Sequence, residues 1–311
     1  MRLAILSALL LATHALAQPA TEFKGHTDLI HSVAVSIDGK QLATAGFDGV
    51  VKLWDIANGK NTQTLTGHTG PVYCVAYRPD GKALASSGLD KTIKLWNLAD
   101  GKVITEIKSH TDIVDSIAFS PDGKYLASSS ADKSVRLWNA TDGKEVKNLG
   151  THAVSVYAVA FSSDSKQLAS ASQDGTVKIW DVPGQKELKA IKVANDALFC
   201  VTFSSDGKSV LAGGLDRFLH IWDIATGKET KKLGPTDDDI FGIAWSRDGK
   251  TLATIGYAGF INVWDLNAPK PLFTHKIMAP SFCITFTADG KAVITGHGLP
   301  LNAASVTAIK K

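Results

Sequence analysis

Cysteine is scarce in this sequence, with three copies among 311 residues. They stand at Cys74, Cys200 and Cys283, far apart along the chain. An odd number cannot be fully paired within one molecule, and no pair has the spacing of a zinc site or of a haem attachment motif. A disulfide framework, a structural zinc and a covalently held haem are therefore excluded. We expect three buried free thiols with no catalytic role.

An excess of charge of one sign is also lacking. The 33 Lys and Arg residues against 30 Asp and Glu residues leave a formal net charge of +3, and no run of basic residues occurs. Proteins that bind nucleic acid usually carry a basic surface that neutralises phosphates. The composition therefore predicts no nucleic-acid partner. A hydrophobic content of 44% predicts an ordinary globular core.

Long hydrophobic runs are missing, with one short exception near the N-terminus. Arg2 precedes the apolar run Leu3–Ala12, and the small-residue triplet Ala-Leu-Ala follows at 15–17. This order is typical of a cleaved secretory signal peptide, whereas a membrane span needs about 20 apolar residues. The sequence thus predicts a signal peptide at 1–17 and a single domain at 18–311. It also predicts a periplasmic or extracellular location without membrane insertion after cleavage; an uncleaved signal anchor is the alternative.

No stretch shows the 3.6-residue apolar period of an amphipathic helix, and a much longer repeat dominates instead. Tryptophan returns every 42 residues, at Trp54, Trp96, Trp138, Trp180, Trp222 and Trp264. The triplet Asp-Gly-Lys, once Asp-Ser-Lys, begins at Asp38, Asp80, Asp122, Asp164, Asp206, Asp248 and Asp289. Repeats of about 40–45 residues are typical of propeller blades. The markers predict seven such units.

Each unit consists of short β-rich runs separated by turn residues. In the second unit these runs are Val72–Arg78, Ala83–Gly88, Thr92–Asn97 and Val103–His110. Asp-Gly and similar pairs between such runs are typical of β-hairpins. The pattern predicts an all-β protein made of four-stranded antiparallel sheets. Because one such sheet cannot bury both faces alone, the sheets must pack against one another in a ring.

Two dipeptides carry a family resemblance over essentially the whole domain. Gly-His occurs at Gly25 and Gly67, and Trp-Asp begins at Trp54, Trp180, Trp222 and Trp264. With the 42-residue period, they resemble the WD-repeat β-propeller family. The resemblance implies a seven-bladed β-propeller of four-stranded antiparallel blades, closed by the N-terminal strand in the last blade. We therefore expect Thr21–Lys24 to pair with Ser305–Ile309.

Histidine, a hydroxyl residue and aspartate recur at one spacing, which raises the possibility of a catalytic triad. The four sets, each with its tryptophan, are His26, Thr44, Asp48 and Trp54; His68, Ser86, Asp90 and Trp96; His110, Ser128, Asp132 and Trp138; and His152, Ser170, Asp174 and Trp180. A catalytic site needs one set in one pocket, whereas four copies spread around a ring indicate a structural role. In the resembled family these residues form a hydrogen-bonded tetrad in each blade. Blades five to seven lack part of the pattern, and we expect apolar packing to hold them instead.

The face that carries the histidine loops and the aspartate turns is the predicted partner-binding surface. Its aromatic and apolar positions match the family's usual partner contacts. They are His31, Phe47, Tyr73, Leu89, Asp115, Tyr157, Phe199, Leu215, Phe241, Tyr257 and Phe282. Such a set resembles an interface core. The alternative is that these aromatic side chains only pack on one another around a plugged channel.

The leading hypothesis is a non-enzymatic scaffold that binds a protein or peptide, with no catalytic, cofactor-binding or metal-binding residues and no cofactor. The alternative is an exported propeller enzyme, such as a quinoprotein or a lactonase-like hydrolase, with its site at the channel mouth. The acidic run Asp237–Asp239 could hold a cation, although such loops are more often solvated. We expect the protein to be a monomer on its own, because a closed ring leaves no long unpaired edge.

Overall fold

The computed structural model describes residues 22–268 and 270–309, and these residues form strands and turns without a helix. The strands belong to seven antiparallel sheets of four strands each. The first strands of neighbouring sheets contact one another around the whole ring, and the contact between the last and the first sheet completes it. The predicted seven-bladed propeller is therefore confirmed.

The strands follow one another from the channel outwards in each blade. The first strand of the chain, β1 (Glu22–Lys24), belongs to the last blade. Blade one contains β2 (Ile30–Val35), β3 (Gln41–Gly46), β4 (Val50–Asp55) and β5 (Asn61–Thr66). Blade two contains β6 (Val72–Tyr77), β7 (Ala83–Gly88), β8 (Ile93–Asn97) and β9 (Val103–Ile107). Blade three contains β10 (Val114–Phe119), β11 (Tyr125–Ser130), β12 (Ser134–Asn139) and β13 (Glu145–Thr151).

The remaining blades repeat this order. Blade four contains β14 (Val156–Phe161), β15 (Gln167–Ser172), β16 (Thr176–Asp181) and β17 (Lys186–Lys192). Blade five contains β18 (Leu198–Phe203), β19 (Ser209–Gly214), β20 (Leu219–Asp223) and β21 (Lys228–Leu233). Blade six contains β22 (Gly242–Trp245), β23 (Leu252–Ile255), β24 (Phe260–Trp264) and β25 (Phe273–Lys276). Blade seven contains β26 (Ser281–Phe286), β27 (Ala292–His297) and β28 (Ala303–Ala308), with β1 as its outer strand.

The recurring Asp-Gly-Lys triplet makes the turn between the first and second strands of each blade. In blade one, the carboxylate of Asp38 accepts the backbone N–H of Lys40 at 3.1 Å and the hydroxyl of Ser36 at 2.7 Å. Gly39 has a φ of +73°, a left-handed conformation that glycine adopts without steric cost. Ser165 takes the same place in blade four with a φ of +62°. The turn chemistry therefore survives where the glycine does not.

Blade seven is closed by β1. Glu22, Phe23 and Lys24 pair with Ser305, Ala304 and Ala303, respectively. Phe23 is fully buried, and its ring meets that of Trp54 in the neighbouring blade edge to face at 5.9 Å. Closure by the N-terminal strand was correctly predicted, but the pairing uses Ala303–Ser305 instead of the segment from Ser305 to Ile309. The shift arises because the preceding turn ends at Asn302, so that β28 begins two residues earlier; Thr21 lies outside the described residues.

The apolar core lies between the blades and not within any one of them. Leu53 and Leu65 of blade one pack in the same buried cluster as Val72 and Leu84 of blade two. Other clusters join the following blades, and one joins Trp54 of blade one to Ile294 of blade seven. Each blade contributes one apolar face to each neighbour, which is why the chain must form a ring.

The three thiols lie on the first strands of their blades and are not bonded to one another. Cys200 is buried, whereas Cys74 and Cys283 are half-buried. Burial raises the pKa of the Cys200 and Cys283 thiols to about 12. A thiol with so high a pKa is a poor nucleophile, because the thiolate is the reactive form.

Candidate functional site

The candidate site is the face on which the loops before the first strands meet the turns between the second and third strands, here called the His/Asp face. Hydrogen bonds from side chains to backbone carbonyls link neighbouring blades on it. The side chain of Lys91 donates to the carbonyl of Thr111 at 2.9 Å, and that of Asn302 to the carbonyl of Thr27 at 3.2 Å. The opposite face, here called the lower face, carries the Asp-Gly-Lys turns. The two faces differ in chemistry, as the following contacts show.

Four hydrogen-bonded sets support the His/Asp face from below. In blade one, the indole of Trp54 donates to the hydroxyl oxygen of Thr44 at 2.8 Å, and this oxygen lies 2.7 Å from His26 Nε2. His26 Nδ1 lies 2.9 Å from the carboxylate of Asp48. An ionised carboxylate only accepts, so Nδ1 carries the proton and the hydroxyl donates to Nε2. The indole-to-hydroxyl distances for Trp96, Trp138 and Trp180 are 2.7, 2.9 and 2.9 Å.

The hydroxyl groups in these sets have no room to react. Thr44, Ser86, Ser128 and Ser170 are completely buried. Each hydroxyl oxygen also accepts an indole N–H, which a free nucleophile would not do. The arrangement resembles a catalytic triad in its bonds but points into the protein, where a buried indole requires an acceptor.

Blade four departs from the pattern at its aspartate. His152 Nδ1 lies 3.9 Å from the Asp174 carboxylate but 3.0 Å from the hydroxyl of Thr176, which bonds to Asp174 at 2.5 Å. The threonine therefore relays the bond from the histidine to the carboxylate. Burial lowers the pKa of His152 to about 4, so the ring is neutral near pH 7.

Blades five to seven are not held by apolar packing alone, which corrects the expectation from sequence. In blade five, Ala194 and Ala212 replace the histidine and the hydroxyl, and His220 from the third strand bonds to Asp216 at 2.8 Å and to Glu229 at 2.6 Å. The same third-strand position holds Lys94 in blade two, where it pairs with Glu106. His220 thus takes over both the pairing with a strand-four glutamate and the pairing with the turn aspartate.

Blade six keeps the indole-to-hydroxyl bond of the tetrads, whereas blade seven uses a substitute. In blade six, the indole of Trp264 donates to the hydroxyl of Thr254 at 3.0 Å. In blade seven, which has no tryptophan, His297 lies 2.8 Å from the hydroxyl of Ser281 and 2.7 Å from that of Ser305. The pairs of His297 with Ser281 and Ser305 lie outside the 42-residue register of the tetrads, so the sequence pattern could not show them.

Trp222 in blade five provides a test of the tetrad chemistry. Its buried indole N–H has no hydrogen-bond partner among the described residues, because Ala212 stands where the other blades carry a hydroxyl. We expect Ala212→Ser to raise the free energy of unfolding by about 1 kcal/mol, since it supplies the missing acceptor. Urea denaturation followed by fluorescence measures this change.

The matched control is Ala169→Ser, at a fully buried alanine in β15 where no indole lacks a partner. It is expected to lower the free energy of unfolding by about 1–2 kcal/mol, since it buries a hydroxyl where no indole N–H needs an acceptor. If both substitutions destabilise equally, a hydroxyl below Trp222 has no special value and the account of the indole acceptor is wrong.

The rim around the channel mouth is built from β-bulges. In six blades the pairing of the first two strands shifts by one residue near the His/Asp face, which leaves one residue of the first strand unpaired. These bulged residues are His31, Tyr73, Asp115, Tyr157, Phe199 and Phe282. Phe241 directly precedes the first strand of blade six. A bulge turns a side chain away from the regular alternation of a strand and often lies next to a functional site.

The rim side chains contact one another in sequence around the mouth. The Phe199 and Phe241 rings stack at 4.2 Å, and Phe282 meets Phe241 edge to face at 5.2 Å. His31 joins Phe282 at 5.3 Å and Tyr73 at 4.9 Å. Phe47 and Tyr257 extend this chain outwards from the mouth, at 5.1 Å from Tyr73 and 5.4 Å from Phe282. Tyr157 begins it at 5.5 Å from Phe199.

The rim aromatics are therefore packed against one another, yet they are not covered. Seven of the eight are half-buried, and the eighth, Tyr257, is 50% exposed. Leu89 and Leu215, which directly precede their turn aspartates, are 41% and 44% exposed. Self-packing and surface exposure thus coexist at this mouth.

Sequence reasoning missed two exposed apolar residues on the same face. Met278, 79% exposed, occupies the position at which the first four blades carry histidine, and Leu299, 72% exposed, lies in the turn between β27 and β28. The 42-residue register would have placed Met278 there. No comparable signal marks Leu299, because blade seven has no turn aspartate at its position.

The lower face presents charged turn residues. A cavity of about 710 Å³ opens there between blades six and seven, lined in part by Arg247, Asp248, Asp289 and Lys291. Its acidic and basic side chains balance each other and form the ends of the turns. Among residues 22–268 and 270–309, no group of three or more His, Cys, Asp or Glu side chains is placed to bind a metal ion. Within the same residues, no helix has the length and hydrophobicity to cross a membrane.

Comparison with known proteins identifies the family. Residues 89–298 match the family model of the first β-propeller of IFT122, and residues 17–55 and 59–97 match the model of the WD domain, G-beta repeat. The chain belongs to the WD-repeat β-propeller family.

Individual relatives match over single repeats. Small ribosomal subunit protein RACK1z of Arabidopsis thaliana is 54% identical over 41 residues, which is 13% of this chain and 12% of that protein. Cross-pathway control WD-repeat protein 2 of Flammulina velutipes is 44% identical over 45 residues, 14% of each chain. The ribosome biogenesis protein BOP1 homolog of Drosophila virilis is 42% identical over 43 residues, 14% of this chain and 6% of that protein. Each match thus spans a seventh or less of the relative's length.

These relatives contradict the expectation of an exported protein. Several of them are named as small ribosomal subunit or ribosome biogenesis proteins, and the longest family match is to the IFT122 propeller, which points to an intracellular protein. The prediction of a periplasmic or extracellular location is therefore wrong. It depended on a short apolar run, and such a run reports hydrophobicity rather than compartment. The predicted signal peptide at 1–17 lies outside the described residues.

Proposed function

We propose that this propeller is a non-enzymatic scaffold that binds a protein or peptide through its His/Asp face. The observation that supports this most strongly is the position of the six β-bulges. Each bulge places the unpaired residue of a blade's first strand at the rim of the channel mouth. Exposed apolar side chains extend the rim, among them Leu89, Leu215, Tyr257, Met278 and Leu299. Exposed apolar clusters of this kind are typical of interaction sites.

The tetrad chemistry also favours a scaffold over an enzyme. The hydroxyl groups that the sequence offers as nucleophiles are occupied by indole N–H groups below the surface. The aromatic side chains of the rim present ring faces, which supply contact area for a partner. The relatives named as ribosomal proteins carry the same repeat and belong to a large assembly. A role in holding macromolecules together is consistent with the similarity to these relatives.

Capture of partners from a lysate of the source cells, quantified by mass spectrometry, tests the proposal. The double variant Leu89→Asp/Tyr257→Asp places charge on the rim at side chains that are already exposed, so the fold is not disturbed. We expect at least a tenfold lower recovery of the specific partners, about 1.4 kcal/mol in binding free energy.

The matched control places the same charges on the lower face. Ile37 and Leu272 are 56% and 54% exposed, and both lie in turns of that face. Ile37→Asp/Leu272→Asp is expected to recover partners as the unmodified protein does. If the lower-face variant loses the partners and the rim variant keeps them, the binding surface is on the other side and the proposal fails.

A further inference from the structure

One carboxylate interrupts the aromatic rim. Ring contacts run from Tyr157 through Phe199, Phe241, Phe282 and His31 to Tyr73. Between Tyr73 and Tyr157 stands Asp115, the bulged residue of β10, which lies between β6 and β14. The rim is therefore a chain of aromatic rings whose two ends are tyrosines separated by an acidic side chain.

The carboxyl group of Asp115 lacks the partners that a buried charge needs. Its Oδ2 atom is buried and has no hydrogen-bond partner among the described residues. A buried carboxylate without a partner is costly in free energy. Its environment shows the same effect, since burial and, to a lesser extent, the charge of Asp112 raise the pKa of Asp115 to about 7, although the backbone N–H of Ala131 acts in the opposite direction. The free protein holds this group at a cost that a cationic partner would remove.

The surrounding rim offers no cation of its own. The rim positions and the residues three places after the histidine position include two charged side chains, Asp115 and Asp239, and no lysine or arginine. Burial and the neighbouring Asp238 raise the pKa of Asp239, and the charge of Arg217 in the turn of blade five opposes them, so the nearest cation acts on Asp239. The mouth is thus aromatic and acidic, a combination that complements a positively charged group.

We propose that Asp115, flanked by Tyr73 and Tyr157, binds a basic side chain that an extended segment of a partner protein inserts into the channel mouth. This inference rests on the proposed scaffold function and names the chemistry of the partner. A guanidinium fits best, because it pairs with a carboxylate through two parallel hydrogen bonds and stacks on aromatic rings. An ammonium shares the charge and the attraction to aromatic faces but not the planar pairing.

We expect entry of the basic group to need a side-chain rotation of Asp115. Asp115 as a whole is half-buried at the mouth, although its Oδ2 is covered. Changes of rotamer at an interface are common on binding even where the backbone stays fixed. The tyrosines on both sides sense the carboxylate, since burial and then the charge of Asp115 raise the pKa of each phenol.

Binding should depend on pH through Asp115. The titratable groups around it are Asp112 on the preceding loop, Tyr73 and Tyr157 on the neighbouring first strands, and His31 beyond Tyr73. The tyrosines have raised pKa values and His31 a pKa lowered by burial, so all three are neutral near pH 7. Protonation of Asp115 below pH 7 removes the charge that attracts the cation, so affinity falls as the pH falls from about 8 to about 6.

Calorimetric titration with short synthetic peptides tests the inference. The probes are the pentapeptides Gly-Ser-X-Ser-Gly with X as arginine, lysine or citrulline, the neutral analogue of arginine. We expect the protein at pH 8 to bind the arginine peptide at least tenfold more tightly than the citrulline peptide, with lysine between them. Asp115→Asn should abolish the difference, whereas Asp239→Asn, which removes an acidic charge from blade six on the same face, should keep it.

A stability measurement keeps the test decisive. Asp115→Asn should melt at or above the temperature of the unmodified protein at pH 8, because it removes an unpaired buried charge. A lower melting temperature would mean that Asp115 has a structural role, and would overturn the inference.

Equal binding of the arginine and citrulline peptides would also overturn the inference. The scaffold proposal would still stand if the rim variant Leu89→Asp/Tyr257→Asp loses its partners. Self-association that Asp115→Asn abolishes would assign the mouth to a second copy and contradict a basic partner segment.

Discussion

Removal of β1 is expected to open the ring and to lower the melting temperature by about 10 °C or more. The strand is only three residues long, but it covers the outer edge of blade seven and places Phe23 against Trp54. Loss of a fully buried phenylalanine alone costs about 3–5 kcal/mol, and a change of 1 kcal/mol shifts the melting temperature of a protein of this size by about 2–4 °C. Scanning calorimetry of a chain that starts at Gly25 measures the effect.

Two comparisons separate closure from simple shortening. A chain that starts at Glu22 keeps β1 and should melt like the full-length protein. Phe23→Ala should reproduce most of the loss, whereas Lys24→Ala on the same strand, with its side chain 70% exposed, should change little. The uncovered edge of β28 should also promote association, which size-exclusion chromatography detects. A chain from Gly25 that stays monomeric and melts normally would show that the pairing of β1 with β28 does not hold the ring.

Asp90→Ala is expected to lower the free energy of unfolding by about 3 kcal/mol near pH 7. The carboxylate accepts hydrogen bonds from His68 at 2.9 Å, from the backbone of Thr69 at 3.1 Å and from the hydroxyl of Thr92 at 2.9 Å. Loss of a charged acceptor leaves these donors without partners in a site that is only 8% exposed. The comparison is Asp206→Ala in an exposed lower-face turn, for which we expect less than about 1 kcal/mol.

The same substitution should change the response to acid. Burial opposes ionisation of Asp90, but the hydrogen bonds from His68, Thr92 and Thr69 outweigh it and hold its pKa below the ordinary value of 3.8. A carboxyl group with a lowered pKa in the folded state stabilises the protein above pH 3.8 and loses this contribution as the pH falls further. The unmodified protein should therefore lose more stability than Asp90→Ala between about pH 4 and pH 2. Equal slopes in urea titrations over this range would contradict the role of Asp90 in the tetrad.

The sequence was sufficient to predict the number of blades, because the 42-residue period and the turn triplet are local signals that recur with little change. Trp54 and Asp38 illustrate this, since each marks one place in the blade through its own hydrogen bonds. The ring closure could also be predicted, but its register could not. The register depends on where the turn before β28 ends, and Asn302 has no counterpart in the other blades.

The sequence pattern could not predict hydrogen bonds in which a residue from another strand replaces a tetrad residue. His220 makes the contacts that blade two divides between Lys94 on its third strand and His68 in the loop before its first strand. Its role is visible only when β20 lies beside β21 and the turn that holds Asp216. The bulge at Asp115 is likewise a property of the pairing between two strands and not of either strand alone. Sequence reasoning identified Asp115 as a rim residue, but its unpaired oxygen emerged from the packing of its neighbours.

The pairing of β1 with β28 also sets the order in which the molecule can be completed. Phe23 has no apolar neighbour of its own blade until Ala304 has been synthesised, almost a full chain length later. During translation Phe23 can pack against Trp54 of blade one, whereas the backbone hydrogen bonds of β1 must wait for β28. The ring can therefore close only after almost the whole chain has been synthesised.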